Sequence, residues 1–286
     1  MTTDLAVVIL TRCDRSRELS LAVESAVTQV GVAVELVVVA NGCDLEAPPP
    51  GAMVIRTEQN LGVAAGRNLG WRSSRSQFVL FLDDDAVLGD PLVASRAVEA
   101  FGADDRLGVV SFCIRDEEGR TLRRHVPRLI VGDPGRSSEV TTFLGGACVI
   151  RRAVLEETGG FPDEFFYALE ESDLAWAALD LGYRIRYAGD LEVVHPATPI
   201  TRHDRALYYG ARNRVLLARR RLPLLLGVGH VLVRAALGLL LVRRPGHLAA
   251  MARGYRDGLR TPIGERRPIR WPTAWRMTRL GRPPVI

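Results

Sequence analysis

Lysine is missing altogether: all 38 basic residues are arginine, a compositional habit to which no function is assigned. Cysteine is scarce. Cys13, Cys43, Cys113 and Cys148 are scattered with no Cys-x-x-Cys pair, so neither a zinc knuckle nor a disulfide framework is expected, and the usage suits a reducing compartment. The opening residues lack a basic cluster, and their apolar stretch is shorter than a signal peptide requires, so the chain is expected to stay in the cytoplasm. There is no internal repeat. Disorder is excluded because 47% of the 286 residues are hydrophobic, enough for one large domain with an appendage rather than two independent folds.

Charge is unevenly spread. Residues 201–286 hold 19 arginines against Asp204, Asp257 and Glu265, a net +16, whereas residues 1–200 hold 19 arginines and 30 acids, a net −11. An acidic front and a basic tail imply different partners. The tail contains the longest apolar run, 222–242, about the length that spans a bilayer. Pro223, His230 and Arg234 interrupt it, and Arg219, Arg220, Arg221, Arg243 and Arg244 flank it. An element lying in the headgroup region of an anionic membrane fits this pattern better, with a core helix or helical pair as the alternative. The arginine-rich stretch 205–221 reads as a helix. The last ~20 residues, with Pro268, Pro272, Pro283 and Pro284, read as an extended tail whose Trp271 and Trp275 suit an interface.

The first hundred residues alternate strand and helix. Near-continuous apolar runs at 5–10, 34–40 and 77–82 suit parallel strands covered on both faces, a further strand is expected at 52–56, and apolar spacing predicts helices over 18–30 and 63–72. This is the pattern of a Rossmann-like α/β layer. Beyond it, strands are expected at 107–114 and 145–150, a hairpin turn at 116–120 and a loop at 127–138. A helix follows with Leu174, Ala177, Ala178 and Leu181 on one stripe and Gly182 as its cap, then two short strands at 184–187 and 192–195.

The run 77–82 delivers Asp83, Asp84 and Asp85 to the carboxyl end of a strand, where open α/β sheets bind ligands. Carboxylates so crowded repel unless water, hydrogen bonds or a cation compensates them. Mg²⁺ or Mn²⁺ carried by a diphosphate does so, and a solvated acidic turn is the plain alternative.

Several motifs, in order across residues 5–200, resemble the family-2 inverting glycosyltransferases of the GT-A fold, in particular a bacterial rhamnosyltransferase-like branch. Thr11-Arg12-Cys13-Asp14-Arg15 is similar to the segment that touches the nucleotide base, with Arg12 where an aromatic is usual and Asp14 where Asn is usual. Ala40-Asn41-Gly42-Cys43-Asp44 resembles the turn that holds the nucleoside, its first acid replaced by Ala40. The segment from Asn60 and Gly62 to Arg67 and Asn68 resembles one whose small residues admit the nucleotide and whose arginine contacts the donor. Asp83 and Asp85 take the places of the Asp-x-Asp motif, which implies Asp85 as metal ligand, Asp83 as its partner at the donor, and Asp84 between them.

The resemblance continues on the acceptor side. Gly145, Gly146 and Ala147 look like the segment that leaves room for the incoming sugar. Glu170-Glu171-Ser172-Asp173 follows an aromatic stretch as the family's Glu-Asp-x-Asp does at a helix start, which implies Glu170 near the acceptor, Glu171 as general base and Asp173 as the second candidate. His195 coincides with a histidine that completes the metal shell. The stretch from Tyr208 to Arg214 is family-like without a derivable role.

The implied organisation is a GT-A catalytic domain over 1–203, with nucleotide-sugar binding up to about 100 and the acceptor side and base over 101–203, followed by an arginine-rich helical region, 204–286. The implied activity is Mg²⁺- or Mn²⁺-dependent transfer of a hexose such as rhamnose from a nucleotide-diphosphate sugar to a hydroxyl of an envelope glycan or lipid-linked acceptor. That activity belongs in the cytoplasm, peripherally at the inner face of the membrane, with no nucleic acid as partner. Two rivals were weighed. A sugar nucleotidyltransferase needs a glycine-rich loop after the first strand, and Thr11 to Arg15 has no glycine. A degenerate, arginine-rich membrane or nucleic-acid binding module draws support from the departures at Ala40 and Glu171.

Overall fold

The computed structural model describes residues 3–196 and 205–286; the boundary expected at residue 203 lies outside them. Strands β1 (Thr3–Thr11), β2 (Val32–Asn41), β3 (Met53–Thr57) and β4 (Phe78–Asp83) run parallel in the order β3-β2-β1-β4. Side chains of a strand alternate between faces, and here both faces are covered. Leu5, Val7 and Ile9 of β1 are buried with Leu19, Ala22 and Ala26 of α1 (Ser16–Val27), while Ala6 and Val8 are buried with Ala64 and Trp71 of α2 (Gly62–Ser73). Burial of each large aliphatic side chain contributes roughly 1.5–3 kcal/mol, which accounts for runs that are near-continuously apolar. A Cβ added to Gly66 would lie 2.4 Å from Leu10, and one on Gly70 would lie 2.2 Å from Val8. Both glycines therefore let α2 press onto β1.

The sheet continues past β4 with mixed direction. It takes in β5 (Val87–Leu88), β6 (Leu107–Arg115), β7 (Ser138–Glu139), β8 (Ala147–Arg151) and β9 (Arg184–Val194), with β8 antiparallel to both β4 and β6 and β9 parallel to β6. Helix α3 (Val93–Gly102) covers the same face as α1, α4 (Arg152–Thr158) follows β8, and α5 (Glu170–Asp180) covers the other face. Two expectations change. Asp116 accepts at its backbone from Gly119 and donates to the Arg120 carbonyl, so the turn exists, but no returning strand pairs with β6. The two short strands expected at 184–187 and 192–195 are one strand, β9, because a register shift at Phe112/Cys113 absorbs residues 189–191.

Cys13 and Cys43 form a disulfide, against the expectation of none. Parallel pairing that matches Thr11 with Ala40 brings the two loops after β1 and β2 side by side, a proximity invisible in their 30-residue separation. The argument from cysteine usage for a reducing compartment is thereby removed. Cys113 and Cys148 are buried free thiols.

Helices α6 (Ala206–Arg221), α7 (Leu224–Leu241), α8 (Pro245–Arg260) and α9 (Trp271–Arg279) form the rest. Leu216 and Leu217 of α6 and Ala274 and Met277 of α9 share a buried cluster with Val79 and Phe81 of β4. The final residues are thus not the extended tail expected. Pro272 falls in the first turn of α9, where its missing N–H costs nothing, and Trp271 and Trp275 face outward. Helix α8 packs close on α6, since a Cβ at Gly254 would lie 2.4 Å from the Tyr208 carbonyl and one at Gly258 2.6 Å from that of Arg212. Helix α7 is the exception. Of its 18 residues only Gly227 and His230 are buried, and among the described residues it is the one helix long and apolar enough to cross a membrane.

Candidate active site

Because β1 and β4 are neighbours, the loop after β1 lies against the acids that end β4. Asp84 and Asp85 are buried, and Arg15 reaches both, with Nη1 3.3 Å from Asp84 Oδ1 and in contact with Asp85 Oδ2. Burial pushes the Asp84 carboxyl up to about 6, against the opposing pull of the Thr11 hydroxyl and Arg15. His195, just past β9, sets Nε2 3.1 Å from Asp85 Oδ1 and 3.9 Å from Asp83 Oδ2. Burial alone would lower the imidazole's pKa, but the two aspartates outweigh it and hold the group at about 9. With Nδ1 donating to the Pro196 carbonyl at 2.8 Å, Nε2 is the nitrogen turned to the aspartates. One ligand atom each from Asp83, Asp85 and His195 falls within 4.8 Å of the others. Two carboxylates and an imidazole on this scale suit a hard divalent cation, and the residues fit Mg²⁺ or Mn²⁺.

Arg67 joins this cluster to a second one. Buried on α2, it sets Nη2 3.1 Å from Asp83 Oδ1 and Nη1 3.2 Å from Glu170 Oε1. A Cβ at Gly145 would lie 2.4 Å from Arg67 Nη1, and one at Gly146 only 1.9 Å from Asp83 Oδ2. The space beside these two glycines is therefore filled by Arg67 and Asp83, where the expectation was room for a sugar. Ala147 is buried at the start of β8 opposite Leu82.

Helix α5 is launched from a strained loop. Phe166, Ala168 and Leu169 hold φ of 59°, 71° and 68°, conformations that persist only where the surroundings enforce them. Asn213 of α6 enforces them here, its Nδ2 lying 2.9, 2.7 and 2.7 Å from the carbonyl oxygens of Phe165, Tyr167 and Ala168. Arg212 donates to the carbonyls of Glu164 and Phe165, so the stretch from Tyr208 to Arg214 holds the loop before the acids.

The three acids in the first turn of α5 differ sharply. Burial, then the charge of Glu171, pushes Glu170 up to about 8 despite Arg67. Glu171 is raised as well, chiefly by burial, and its Oε2 is enclosed without a hydrogen-bond partner. Asp173 is fully buried, with Oδ1 3.0 Å from Arg220 Nε and Oδ2 2.7 Å from Arg221 Nη2. Both its oxygens are taken, which argues against the catalytic role expected for Asp173: it anchors α5 to α6.

Of the remaining expected donor residues, Asn41 and Asn60 shape a turn. Asn41 Nδ2 donates to Asn60 Oδ1 at 3.0 Å and to the Gly62 carbonyl at 3.1 Å, and its Oδ1 accepts from Leu61 N–H at 2.8 Å. Gly62, at φ 83°, could not carry a Cβ, which would lie 2.4 Å from the Phe166 carbonyl. Thr11 accepts from Cys13 N–H at 3.0 Å, and Asp44 is exposed in the loop after β2. The family-like stretch from Tyr208 to Arg214 gives no local sign that Arg212 and Asn213 support the site, and Arg220 and Arg221 give none either, because an arginine-rich helix beside an apolar run reads as lipid-facing. The buried acid opposite them was the missing signal.

A mixed, largely parallel sheet whose central strand ends in metal-competent acids, bridged by one arginine to a buried carboxyl pair, has the architecture of a GT-A glycosyltransferase. Residues 8–159 match the family described as "Glycosyl transferase family 2", and the chain belongs to that family. Its fold is similar to that of GalNAc-T7, solved with UDP, GalNAc and Mn²⁺, with a TM-score of 0.64 at 13% identity over 91% of this chain and 56% of that one. It is also similar to the mannosyltransferase PcManGT from Pyrobaculum calidifontis in complex with GDP-Man and Mn²⁺, with a TM-score of 0.59 at 19% identity over 98% of this chain and 79% of that one. Among curated proteins, the pre-mycofactocin glycosyltransferase of Mycobacterium tuberculosis is 28% identical over 62% of this chain and 38% of its own length. The succinoglycan biosynthesis protein ExoO of Rhizobium meliloti is 38% identical over 36% of this chain and 31% of its own length. This chain thus spans well under half the length of either.

Proposed function

We propose that the protein transfers a sugar, a hexose such as rhamnose, from a nucleotide-diphosphate donor to a hydroxyl of an envelope glycan or lipid-linked acceptor, inverting the anomeric carbon. The reading rests on Arg67, whose guanidinium touches Asp83 on one side and Glu170 on the other, so that the metal-competent acids and the buried carboxyl pair flank one side chain. Bound UDP or GDP-Man with Mn²⁺ in the similar structures supports a nucleotide-sugar donor. Mg²⁺ or Mn²⁺ held by Asp83, Asp85 and His195 would neutralise the charge that grows on the departing diphosphate.

The chain's own residues do the rest. Arg67 adds fixed positive charge beside Asp83, and burial raises both carboxyls of the adjoining Glu170–Glu171 pair, which titrates as a unit. Glu171 accepts the proton of the acceptor hydroxyl as that oxygen bonds to the anomeric carbon from the face opposite the diphosphate. The bond to the diphosphate breaks on the other side, and its electrons leave with the nucleoside diphosphate. Burial that raises Glu171 makes it a stronger base. The exposed apolar face of α7, between Arg219–Arg221 and Arg243–Arg244, supports peripheral attachment to the inner, anionic face of a membrane.

A panel of nucleotide sugars tests the donor reading by thermal stabilisation, with Mn²⁺ and with chelator. Donor at a hundred times its Kd stabilises by about 2.7 kcal/mol, and the effect is expected only with metal and not in Asp85→Ala. If no nucleotide sugar stabilises the protein in a metal-dependent way, the proposal is wrong.

A further inference from the structure

Helix α7 turns two unlike faces in opposite directions. Outward it shows Leu225, Val228, Leu232, Leu239 and Leu240, each more than half exposed. Inward, His230 and Arg234, one turn apart, line a small cavity of about 30 Å³ that opens to solvent. Arg214 of α6 and Arg282 from the segment after α9 line it too, so three half-buried guanidinium groups converge on one space. Among the described residues none of the three has a carboxylate within ion-pair distance; the one polar contact is Arg214 Nη1 donating to the Gly210 carbonyl at 3.1 Å. Arg234 Nε and the Tyr255 hydroxyl of α8 are buried with no hydrogen-bond partner.

Such an arrangement is costly unless an anion offsets it. Burial lowers the pKa of all three arginines, that of Arg234 to about 10, where Arg214 and Arg282 add repulsion. His230 is lowered to about 4 by burial, with Arg234 and Arg214 acting in the same sense, and so adds no charge. The contrast with α6 is direct, since Arg220 and Arg221 pack just as deeply but close on Asp173. Buried cations left without an anion destabilise a fold unless a ligand supplies one. The cavity adjoins the proposed base: Leu169 and Ser172, either side of Glu170 and Glu171, line it, and Glu171 is the acid whose charge reaches Arg282.

We propose that this cavity binds the phosphoryl group of a lipid-linked acceptor, with Arg214, Arg234 and Arg282 as donors and the hydrocarbon chain lying along the outer face of α7. Guanidinium forks match phosphoryl oxygens, and the helix that supplies Arg234 to the cavity also supplies the uncovered apolar surface. The sugar carried on that phosphoryl group then presents its hydroxyl toward Glu171. The inference rests on the transferase reading for that last step, while the binding site stands on its own.

Farnesyl monophosphate is titrated into the full chain in EDTA, with farnesol and inorganic phosphate as its separated halves. The intact ligand is expected to bind at least tenfold more tightly than either half. Arg234→Gln and Arg282→Gln, each checked for native circular dichroism, are expected to weaken it about tenfold, and neither UDP nor Asp85→Asn to disturb it. Should Arg234→Gln fail to fold, Arg282→Gln on the terminal segment decides. Unchanged binding in the folded variants, equal affinity for inorganic phosphate, displacement by UDP, or equal competition from phosphatidylglycerol overturns the assignment. Farnesyl monophosphate binding that survives in a protein with no use for any nucleotide sugar removes the transferase reading alone. Sugar transfer to a soluble alcohol without farnesyl monophosphate binding removes this site alone.

Discussion

The acids at the end of β4 and those at the start of α5 meet their cations in opposite ways. At β4 the compensation is partial and open: Arg15 reaches Asp84 and Asp85 from the flank, His195 is shared between two carboxylates, and the Asp83 side chain stays 44% exposed. At α5 it is graded and closed, with Asp173 sealed by two arginines, Glu170 held on one side by Arg67, and Glu171 in no ion pair among the described residues. A sealed carboxylate is already satisfied and serves as structure. An open cluster still gains from a cation, and an unpaired buried carboxylate gains from a proton.

Substitution at each of the three acids that open α5 breaks or sharpens that contrast. Glu171→Gln removes the proton acceptor but little volume, so transfer is expected to fall about 10²- to 10⁴-fold while donor binding with Mn²⁺ is kept. Turnover near the parent's would hand the role to another group. Asp173→Asn leaves Arg221 without its acid and Arg220 with Glu164 alone, at a cost of about 3–5 kcal/mol in urea unfolding, with transfer per folded molecule close to the parent's. Full stability with lost transfer would return Asp173 to catalysis.

The smallest effect belongs to Glu170→Gln and shows in pH dependence. The native carboxyl is raised to about 8, above its unfolded value, so between the two the native state binds more protons. Its contribution to stability is therefore present at low pH and lost as pH rises toward 8. Melting midpoints across pH 5 to 8 are expected to fall less steeply in Glu170→Gln than in the parent, and identical slopes would place the proton elsewhere.

Much of the sheet was legible in the chain. The runs that became β1, β2 and β4 are near-continuously apolar because each lies between two helical layers, and that pattern alone carries the information. The acids ending β4 were legible for the same reason, since a strand's end is a local property. Helix α9 was not, because its stripe of Ala274 and Met277 makes sense only against a core built from residues far earlier in the chain. The Cys13–Cys43 bridge, the single strand β9 and the sealed Asp173 failed alike, each depending on a neighbour that parallel pairing or helix packing supplies.

By itself, then, the order of residues determined the α/β alternation and the delivery of carboxylates to a sheet edge, since both follow from side-chain periods of a few residues. Tertiary structure alone decided which carboxylates are free to react. Asp173 and the arginines that neutralise it stand 47 and 48 residues apart, and Coulomb attraction depends on distance through space, which separation along the chain leaves open.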